Sequence, residues 1–442
     1  MLIEIEIITK KQMISSIKLK LISIAEIAHL RIFGHEMGEE MRKFLGHLSW
    51  SFFGGMIAAG MLLILNILAG RWLGPVEYGK YGLVVAISAI FIIPMTLGID
   101  TAITYFVSKS KTAFEKKEIV ASSLWLVGLF IAAVVLIASF FSEFLAGIFN
   151  AQKEIIEVAI FFSIFLAMRN ILDAVIKGLH LFKFQSIIRI AEALIVIVSF
   201  YIFFETYGRF GFRSYVFAIL AGYVFTISAI LWTARKKISF DSKYTKKILS
   251  YGMFAIVGSL FGIMTNSFDK ILINKYIGQE QLGIYNAYAT ASFLLVTQIM
   301  TLFINVFFPY LSSIKDDGSI LKKLNRLARI FCIPVFLILS FIIWFIILSF
   351  GKAYGLDWIL LGEFSFFGVI TMYFTALWWL IASRGINGIQ FTSLNGIIAG
   401  LIFLFLMFVF SSLLNLYFVV LFLIISILYA VIRGNLMYAR IK

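Results

Sequence analysis

The sequence predicts an all-α polytopic membrane protein of about twelve transmembrane helices, in two six-helix lobes related by an internal parallel repeat. Three observations lead to this fold class. Of the 442 residues, 62% are hydrophobic and 14% are charged, with a mean hydropathy of +1.00, whereas soluble domains carry roughly 25% charged residues. The apolar residues fall into twelve separate runs. A short motif also recurs at the corresponding place in each half of the chain.

Each apolar run is long enough for one membrane crossing, because about 20 residues of α-helix span a hydrocarbon core of roughly 30 Å. The runs do not alternate between apolar and polar residues, which excludes a β-barrel. The last two runs are joined only by Ser411 and Ser412, so the count of twelve depends on a tight hairpin there. The predicted spans are residues 49–70, 80–106, 119–141, 155–177, 185–205, 213–234, 251–275, 283–311, 328–350, 358–383, 391–410 and 413–433.

The net charge is +15, and the distribution of the basic residues between the spans predicts the topology. Cytoplasmic segments of membrane proteins hold an excess of Lys and Arg. With the N-terminus inside, 29 of the 38 basic residues fall on cytoplasmic segments and 7 on the opposite side. We therefore expect a multi-pass protein of the cell (cytoplasmic) membrane with both termini in the cytoplasm, and no binding of nucleic acid.

An internal repeat relates the two halves of the chain. Residues 71–81, RWLGPVEYGKY, align with residues 275–285, KYIGQEQLGIY, at an offset of 204. Both copies lie between the first two spans of a six-span half. Because an even number of spans separates them, the halves have parallel topology and should be related by an axis along the membrane normal.

The repeat and the basic segments give the predicted domain boundaries. The N-lobe covers residues 46–234, a basic cytoplasmic linker covers 235–249, and the C-lobe covers 250–442. Residues 1–45 form a cytoplasmic N-terminal extension. Its mixture of Ile and Lys suits an amphipathic helix on an anionic membrane surface; the alternative is that residues 1–36 are not a genuine part of the mature protein.

The residue pattern favours no catalytic, metal or nucleotide chemistry. Cys332 is the single cysteine and the histidines are dispersed, so neither a disulfide nor a zinc site is predicted. The stretch from Gly74 to Tyr81 has the glycine and lysine spacing of a phosphate-binding loop but has Tyr81 where the loop needs Ser or Thr. We predict that the chain is not an enzyme and needs no cofactor.

Ionisable residues inside the spans are the candidate site, because each is costly in the membrane unless it is paired or hydrated. The fourth span carries Arg169, Asp173 and Lys177 on one stripe, and the fifth carries Arg189 and Glu192. One interpretation is that Arg169 pairs with Asp173 and Arg189 with Glu192, which would only fasten helices; the other is that these residues face a cavity. The remaining candidates are Asp100, Asp269, Lys270 and Arg384.

Several sequence strings resemble those of a known transporter family. They are LGPVEYGKYGLVVAISAI, LGIDTAITYFVSKSK, KGLHLFKF, SFDKILINKYIGQEQLGIYNAYA and NVFFPYLSSI. From about residue 46 onward the chain resembles the Wzx-type oligosaccharide flippases of polysaccharide biosynthesis, in the multidrug/oligosaccharidyl-lipid/polysaccharide exporter superfamily. This resemblance implies two lobes that alternate access to a central cavity and translocate a lipid-linked glycan.

The implied substrate gives each candidate residue an expected role. Its phosphates would bind cavity cations, for which the candidates are Arg169, Lys177, Arg189, Lys270 and Arg384. H⁺ or Na⁺ would be carried by Asp100, Asp173, Glu192 or Asp269. Further expected partners are glycosyltransferases or a polysaccharide polymerase. Two alternatives stay open, namely a cation-coupled multidrug-type exporter and a non-transporting membrane scaffold for glycan-assembly enzymes.

Overall fold

The computed structural model describes residues 39–206, 211–234, 244–313 and 319–438, and these ranges are helical with short turns. Most of the predicted N-terminal extension (1–45) and most of the predicted linker (235–249) lie outside them. The α-helices of the described residues are α1 Glu39–Thr96, α2 Ile99–Lys109, α3 Ala113–Phe140, α4 Ser142–Phe149, α5 Lys153–Gly178, α6 Phe182–Thr206, α7 Phe212–Ala234, α8 Thr245–Asn266, α9 Phe268–Tyr276, α10 Gln279–Ser313, α11 Ser319–Phe350, α12 Trp358–Ala382, α13 Ile386–Val409 and α14 Leu416–Met437.

The helices confirm the predicted all-α membrane architecture. Within the described residues, nine helical stretches are long and apolar enough to cross a membrane. The first of them, Gly54–Thr96, contains most of the first predicted span and most of the second. Gly74 (φ 76°, ψ 168°) breaks the helical path between these two spans inside α1. The predicted seventh span corresponds to α8 with α9, and the eighth corresponds to α10. The predicted hairpin at Ser411 and Ser412 separates α13 from α14.

Short connections join the helices, so consecutive spans run antiparallel and the turns fall on two sides of the membrane. We call the side that holds Gly74 and Gly278 the seam side. The opposite side, where α7 ends and α8 begins, is the linker side. Both Gly74 (φ 76°) and Gly278 (φ 118°) have positive φ, a conformation that glycine adopts at little cost. The chain therefore turns at a glycine with positive φ in both repeat copies.

The two repeat copies meet at the seam side, where α10 packs against the second half of α1. A Cβ atom built on Gly79 would lie 3.1 Å from the carbonyl carbon of Gln279, and one built on Gly283 would lie 2.6 Å from the carbonyl carbon of Pro75. At the repeat offset, Gln279 is the counterpart of Pro75 and Gly283 is the counterpart of Gly79. A two-fold rotation therefore exchanges the two contacts. We call this interface the seam.

Equivalent hydrogen bonds extend the repeat into the interior of each lobe. Ser88 Oγ donates to the carbonyl oxygen of Ala159 at 2.9 Å, and its counterpart Ser292 Oγ donates to that of Phe364 at 3.1 Å. Both bonds join the second span of a lobe to its fourth. They fix the correspondence between α5 and α12, in which each residue of α12 is 205 positions after its counterpart.

The second span contains a break that brings the lobes together at the linker side. Helix α1 ends at Thr96 and α2 begins at Ile99, with Leu97 (φ 43°) and Gly98 (φ 69°) between them in left-handed conformations. A Cβ atom built on Gly98 would lie 2.9 Å from the carbonyl carbon of Gly252 in α8. Since only glycine fits this approach, Gly98 permits direct packing of α2 against the C-lobe.

Candidate functional site

The two charged stripes of the N-lobe lie on α5 and α6 and face each other. Arg169 Nη2 is 3.0 Å from Glu192 Oε1, and Arg189 Nη2 is 3.2 Å from Asp173 Oδ2. The prediction that Arg169 pairs with Asp173 and Arg189 with Glu192 is therefore wrong. Helices α5 and α6 are antiparallel, so the partner at the same depth belongs to the other helix. The predicted same-helix partner of Arg169 lies about 6 Å farther along the axis.

Glu192 is held by several donors in a buried position. It accepts hydrogen bonds from Arg169 Nε at 3.2 Å, from Arg169 Nη2 at 3.0 Å, and from Thr226 Oγ1 of α7 at 2.7 Å. The Arg169 guanidinium also lies over the Tyr223 ring, 5.3 Å from its centroid. Bidentate pairs of this kind are strong and geometrically specific. Arg169 and Glu192 thus connect α5, α6 and α7.

Arg169, Asp173, Lys177, Arg189 and Glu192 form one charged cluster, and Asp173 is the centre of its second half. Its carboxylate accepts from Gln185 Nε2 at 2.5 Å and from Arg189 Nη2 at 3.2 Å, and it lies 2.9 Å from Lys177 Nζ. Arg189 Nε is buried and has no acceptor among the described residues. The free volume inside the cluster is about 10 Å³, which holds one water molecule at most.

The charged cluster has an accessible end and an excess of positive charge. It is made of three cations and two carboxylates, which leaves one net positive charge: Arg169, Lys177, Arg189, Asp173 and Glu192. The Lys177 side chain is 46% exposed, whereas the Asp173 side chain is 15% exposed. The excess positive charge of the cluster is therefore accessible at the Lys177 side chain.

The C-lobe shows that the fold does not require these charges. At the positions that correspond to Arg169, Asp173 and Lys177, α12 has Phe374, Trp378 and Ala382. The rings of Phe374 and Trp378 pack edge to face with centroids 5.3 Å apart. A six-helix lobe of this design can therefore be built with aromatic and aliphatic residues where the N-lobe has ions.

A cavity of about 590 Å³ opens beside the charged cluster, near the linker-side ends of α2, α5 and α8. This volume is within the usual range of small-molecule sites. Residues of both lobes line it: Asp100, Thr101, Thr104, Tyr105, Ser108, Asn170, Asp173, Ala174, Lys177 and Tyr251. Two predicted carboxylates and one predicted cation thus share a single cavity. Its walls offer both charges, hydroxyl groups, a carboxamide and two aromatic rings.

Two predicted residues of the seventh span lie elsewhere and do not line this cavity. Asp269 is 2% exposed and accepts a hydrogen bond from the Tyr285 hydroxyl at 2.6 Å. Its other oxygen, Oδ1, is buried and has no hydrogen-bond partner among the described residues. Lys270 is half-buried. Asp269 is held in the first turn of α9, after the interruption at Ser267.

Arg384 occupies a third location, at the linker-side ends of α12 and α14. Its Nη1 donates to the carbonyl oxygen of Tyr438 at 2.7 Å, and its guanidinium lies 3.6 Å from the centroid of the Tyr438 ring. These contacts satisfy a carbonyl just after the end of α14. The predicted set of site residues is thus divided among the cavity with its charged cluster, the Asp269 site and the Arg384 contact.

The ionisable residues of the predicted spans do not indicate the aromatic part of the cavity wall. Tyr105 of α2 and Tyr251 of α8 stack with centroids 4.8 Å apart and planes inclined by 14°. The chain has 18 Tyr residues, and tyrosine is common at membrane interfaces without any binding role. The sequence therefore does not indicate that Tyr105 and Tyr251 meet, because their contact depends on how α2 packs against α8.

The sequence is similar to proteins of polysaccharide biosynthesis. The sequence model of a family described as "Polysaccharide biosynthesis protein" matches residues 45–315. Teichuronic acid biosynthesis protein TuaB of Bacillus subtilis is 31% identical over 84 residues, 19% of this chain and 17% of that protein. Membrane protein MJ1068 of Methanocaldococcus jannaschii is 21% identical over 296 residues, 61% of this chain. The chain spans 58% of the length of MJ1068.

Solved structures share the fold at low sequence identity. An inward-facing multidrug resistance MATE family transporter of the MOP superfamily superposes with a TM-score of 0.67 and 15% identity, covering 86% of this chain and 95% of that one. The lipid II flippase MurJ in an inward closed conformation superposes with a TM-score of 0.65 and 17% identity, covering 89% of this chain and 90% of that one. Both comparisons confirm the predicted fold of the multidrug/oligosaccharidyl-lipid/polysaccharide superfamily.

Proposed function

Because the chain belongs to the polysaccharide biosynthesis protein family, we propose that it translocates a lipid-linked oligosaccharide across the cytoplasmic membrane. The glycan would be carried on a polyprenyl diphosphate, and the lobes 46–234 and 250–442 would alternate access to the cavity. In this proposal both termini and the linker side are cytoplasmic, so the cavity faces the compartment in which the predicted basic segments lie.

The observation that carries this proposal is the difference between the two lobes at equivalent positions. The N-lobe has Arg169, Asp173 and Lys177 where the C-lobe has uncharged residues. Buried ion pairs contribute little net stability compared with apolar packing of similar volume. The charges therefore suit a binding role, and one end of the charged cluster does line the cavity.

The chemistry of the cavity fits an anionic headgroup that carries sugars. Lys177 Nζ has one carboxylate partner, Asp173 Oδ2 at 2.9 Å, and an ammonium group has three donors. Its exposed donors can bind phosphate oxygens, and the net positive charge of the cluster behind it favours an anion. Hydroxyl and carboxamide groups on the same walls can bind sugar hydroxyls, while the lipid chain stays in the membrane.

The proposal is tested with purified protein in proteoliposomes and fluorescent polyprenyl diphosphate-linked N-acetylglucosamine. We expect Lys177→Gln to lower the translocation rate roughly 10- to 100-fold, because a hydrogen bond to a charged group contributes about 1.5–3 kcal/mol. Lys111→Gln is the matched control, since Lys111 is an exposed linker-side lysine that does not line the cavity. Equal rates for the wild type and Lys177→Gln, or no transbilayer movement at all, would contradict the proposal.

Coupling to H⁺ or Na⁺ is assigned within this proposal to Asp269. Asp173 and Glu192 are engaged by cations of the charged cluster, whereas Asp269 has a buried oxygen without a hydrogen-bond partner among the described residues. We expect Asp269→Asn to remove the dependence of transport on an imposed ion gradient while substrate binding is retained. Asp100 remains the second candidate, because it lines the cavity.

A second candidate function is cation-coupled export of small cationic drugs. Asp100 and the two stacked tyrosines favour it, since a carboxylate and aromatic faces bind organic cations. Drug sensitivity of a deletion strain, reversed by the wild-type gene, would support export over glycan transport. A non-transporting scaffold for glycosyltransferases or a polymerase is distinguished by reconstitution, in which it gives no movement of labelled lipid.

A further inference from the structure

The aromatic wall of the cavity joins the two lobes. Tyr105 comes from the N-lobe and Tyr251 from the C-lobe, and their rings stack with centroids 4.8 Å apart. The residues are 37% and 36% exposed, and both line the cavity. Part of each ring is therefore accessible from the cavity.

Both rings contact neighbouring residues of α2, and one of these neighbours contacts a lysine of α8. Lys109 Nζ donates to the Tyr105 hydroxyl at 2.7 Å. The Phe106 ring packs edge to face on Tyr251 at 5.4 Å, and Lys247 Nζ lies 5.1 Å from the Phe106 centroid. These contacts accompany the stacked arrangement of the two rings at the cavity wall.

Other residues that line the cavity carry groups that bind hydroxyls. Asp100 is five residues before Tyr105 on α2, and Asn170 is on α5. Thr104 Oγ1 lies 3.3 Å from the carbonyl oxygen of Ala174, which places the wall that bears Tyr105 directly beside the α5 wall that ends at Lys177. A cavity that combines aromatic faces with a carboxylate and a carboxamide suits a pyranose, which has an apolar C–H face and a rim of hydroxyls.

We propose that Tyr105 and Tyr251 form a sugar-binding clamp, with one ring from each lobe, for the sugar nearest the diphosphate of the substrate. This inference rests on the proposed function and extends it to a glycan subsite. A pyranose between the two rings needs a ring separation of about 7–8 Å, twice the 3.5–4.0 Å distance between packed carbon atoms. Loading of the sugar therefore separates α2 from α8.

The test compares binding of two kinds of lipid to purified protein. The probes are polyprenyl diphosphate without sugar and polyprenyl diphosphates that bear glucose, galactose or N-acetylglucosamine. We expect Tyr105→Leu and Tyr251→Leu each to weaken binding of the preferred sugar-bearing lipid roughly 3- to 10-fold, the size of an aromatic stacking contribution. Binding of the sugar-free lipid should be unchanged. Tyr251→Phe keeps the ring and should restore affinity for the sugar-bearing lipid.

Tyr276→Leu is the matched control, because Tyr276 is also 37% exposed and has a lysine over its ring, but lies at the seam-side end of α9. Equal loss of both lipids in the Leu variants would overturn the clamp and assign the rings a packing role. No change in either lipid would overturn it as well, as would wild-type protein that binds no sugar-bearing lipid more tightly than the sugar-free one. Wild-type protein that binds neither lipid would overturn the proposed function and the clamp together.

Discussion

Adding a methyl group to the seam should shift the protein toward conformations in which the lobes are parted at the seam side. In Gly283→Ala the new Cβ would lie 2.6 Å from the carbonyl carbon of Pro75, and in Gly79→Ala it would lie 3.1 Å from that of Gln279. Ordinary van der Waals contact begins at about 3.4 Å. The carbonyl oxygens of Pro75 and Gln279 lie nearer still to the two Cβ positions. The seam must therefore open by more than about 0.8 Å in Gly283→Ala, and backbone atoms cannot rotate away as a side chain would.

The size of the effect follows from the cost of overpacking, which is about 1–3 kcal/mol. If the seam stayed closed, each variant would carry this cost, whereas a parted seam carries none. The population ratio should therefore move about 5- to 150-fold toward the parted state. One opening relieves both clashes, because a two-fold rotation relates them. The double variant should consequently shift the ratio by less than the product of the two single effects.

The assay is pulsed electron paramagnetic resonance on spin labels at Lys153→Cys and Lys352→Cys. Both lysines are exposed on the seam side, one in each lobe. Cys332→Ser removes the single native cysteine. The expected result is a longer distance population in Gly79→Ala and in Gly283→Ala, with a monodisperse protein in gel filtration.

Gly128→Ala is the control for the seam prediction. Gly128 lies inside α3, where a Cβ would have nothing within 4 Å, so alanine should be neutral or stabilise the helix by about 0.5–1 kcal/mol. Distance distributions that are the same in Gly79→Ala, Gly283→Ala and Gly128→Ala would refute the reasoning. So would fully multiplicative effects in the double variant, because they would mean that the two contacts open independently.

Three further outcomes are expected. Arg169→Met should lower stability by about 3–5 kcal/mol in thermal unfolding, since it leaves Glu192 buried without its cation; Arg169→Met with Glu192→Met should recover most of that loss, and failure to recover would contradict the pairing. Gly252→Ala should part the lobes at the linker side, as measured by labels there, because its Cβ would lie 3.1 Å from the carbonyl carbon of Gly98. Tyr373→Phe removes a hydroxyl that lies within hydrogen-bonding distance of side-chain amide oxygens on α11 and α14 and has one proton to donate, and it should destabilise the C-lobe by about 1–3 kcal/mol; an unchanged melting temperature would show that this contact contributes nothing.

The sequence was sufficient to predict the spans and the repeat, because each depends on local composition or on identical residues at a fixed offset. Gly74 and Gly278 occupy equivalent places in the two repeat copies, and both have positive φ. The pairing of Arg169 was predicted wrongly because the i, i+4 rule considers one helix alone. Which residue of α6 lies opposite Arg169 depends on the rotation and depth of α6, and the apolar pattern of a membrane helix does not determine either.

The grouping of the candidate residues was beyond sequence reasoning for a related reason. Asp100 and Lys177 share a cavity, whereas Arg384 binds the C-terminal end of α14. All three lie toward the linker-side ends of spans, so charge and depth could not separate them. Tyr105 and Tyr251 become neighbours only through the break at Leu97 and Gly98.

The seam and the cavity differ in symmetry, and this difference bears on the mechanism that we propose. At the seam, Gly79 packs against Gln279, and its counterpart Gly283 packs against Pro75, the counterpart of Gln279. Each lobe therefore makes the same contact with the other, and separation at the seam is symmetric. The cavity has no such symmetry, because Lys177 corresponds to Ala382 in the C-lobe. A symmetric closure can be built from two copies of one element, but a substrate with a phosphate at one end and sugar at the other needs different groups on the two walls. The N-lobe would then supply the charge for the diphosphate, and the C-lobe would contribute Tyr251. Binding of the sugar would therefore depend on the distance between the two lobes.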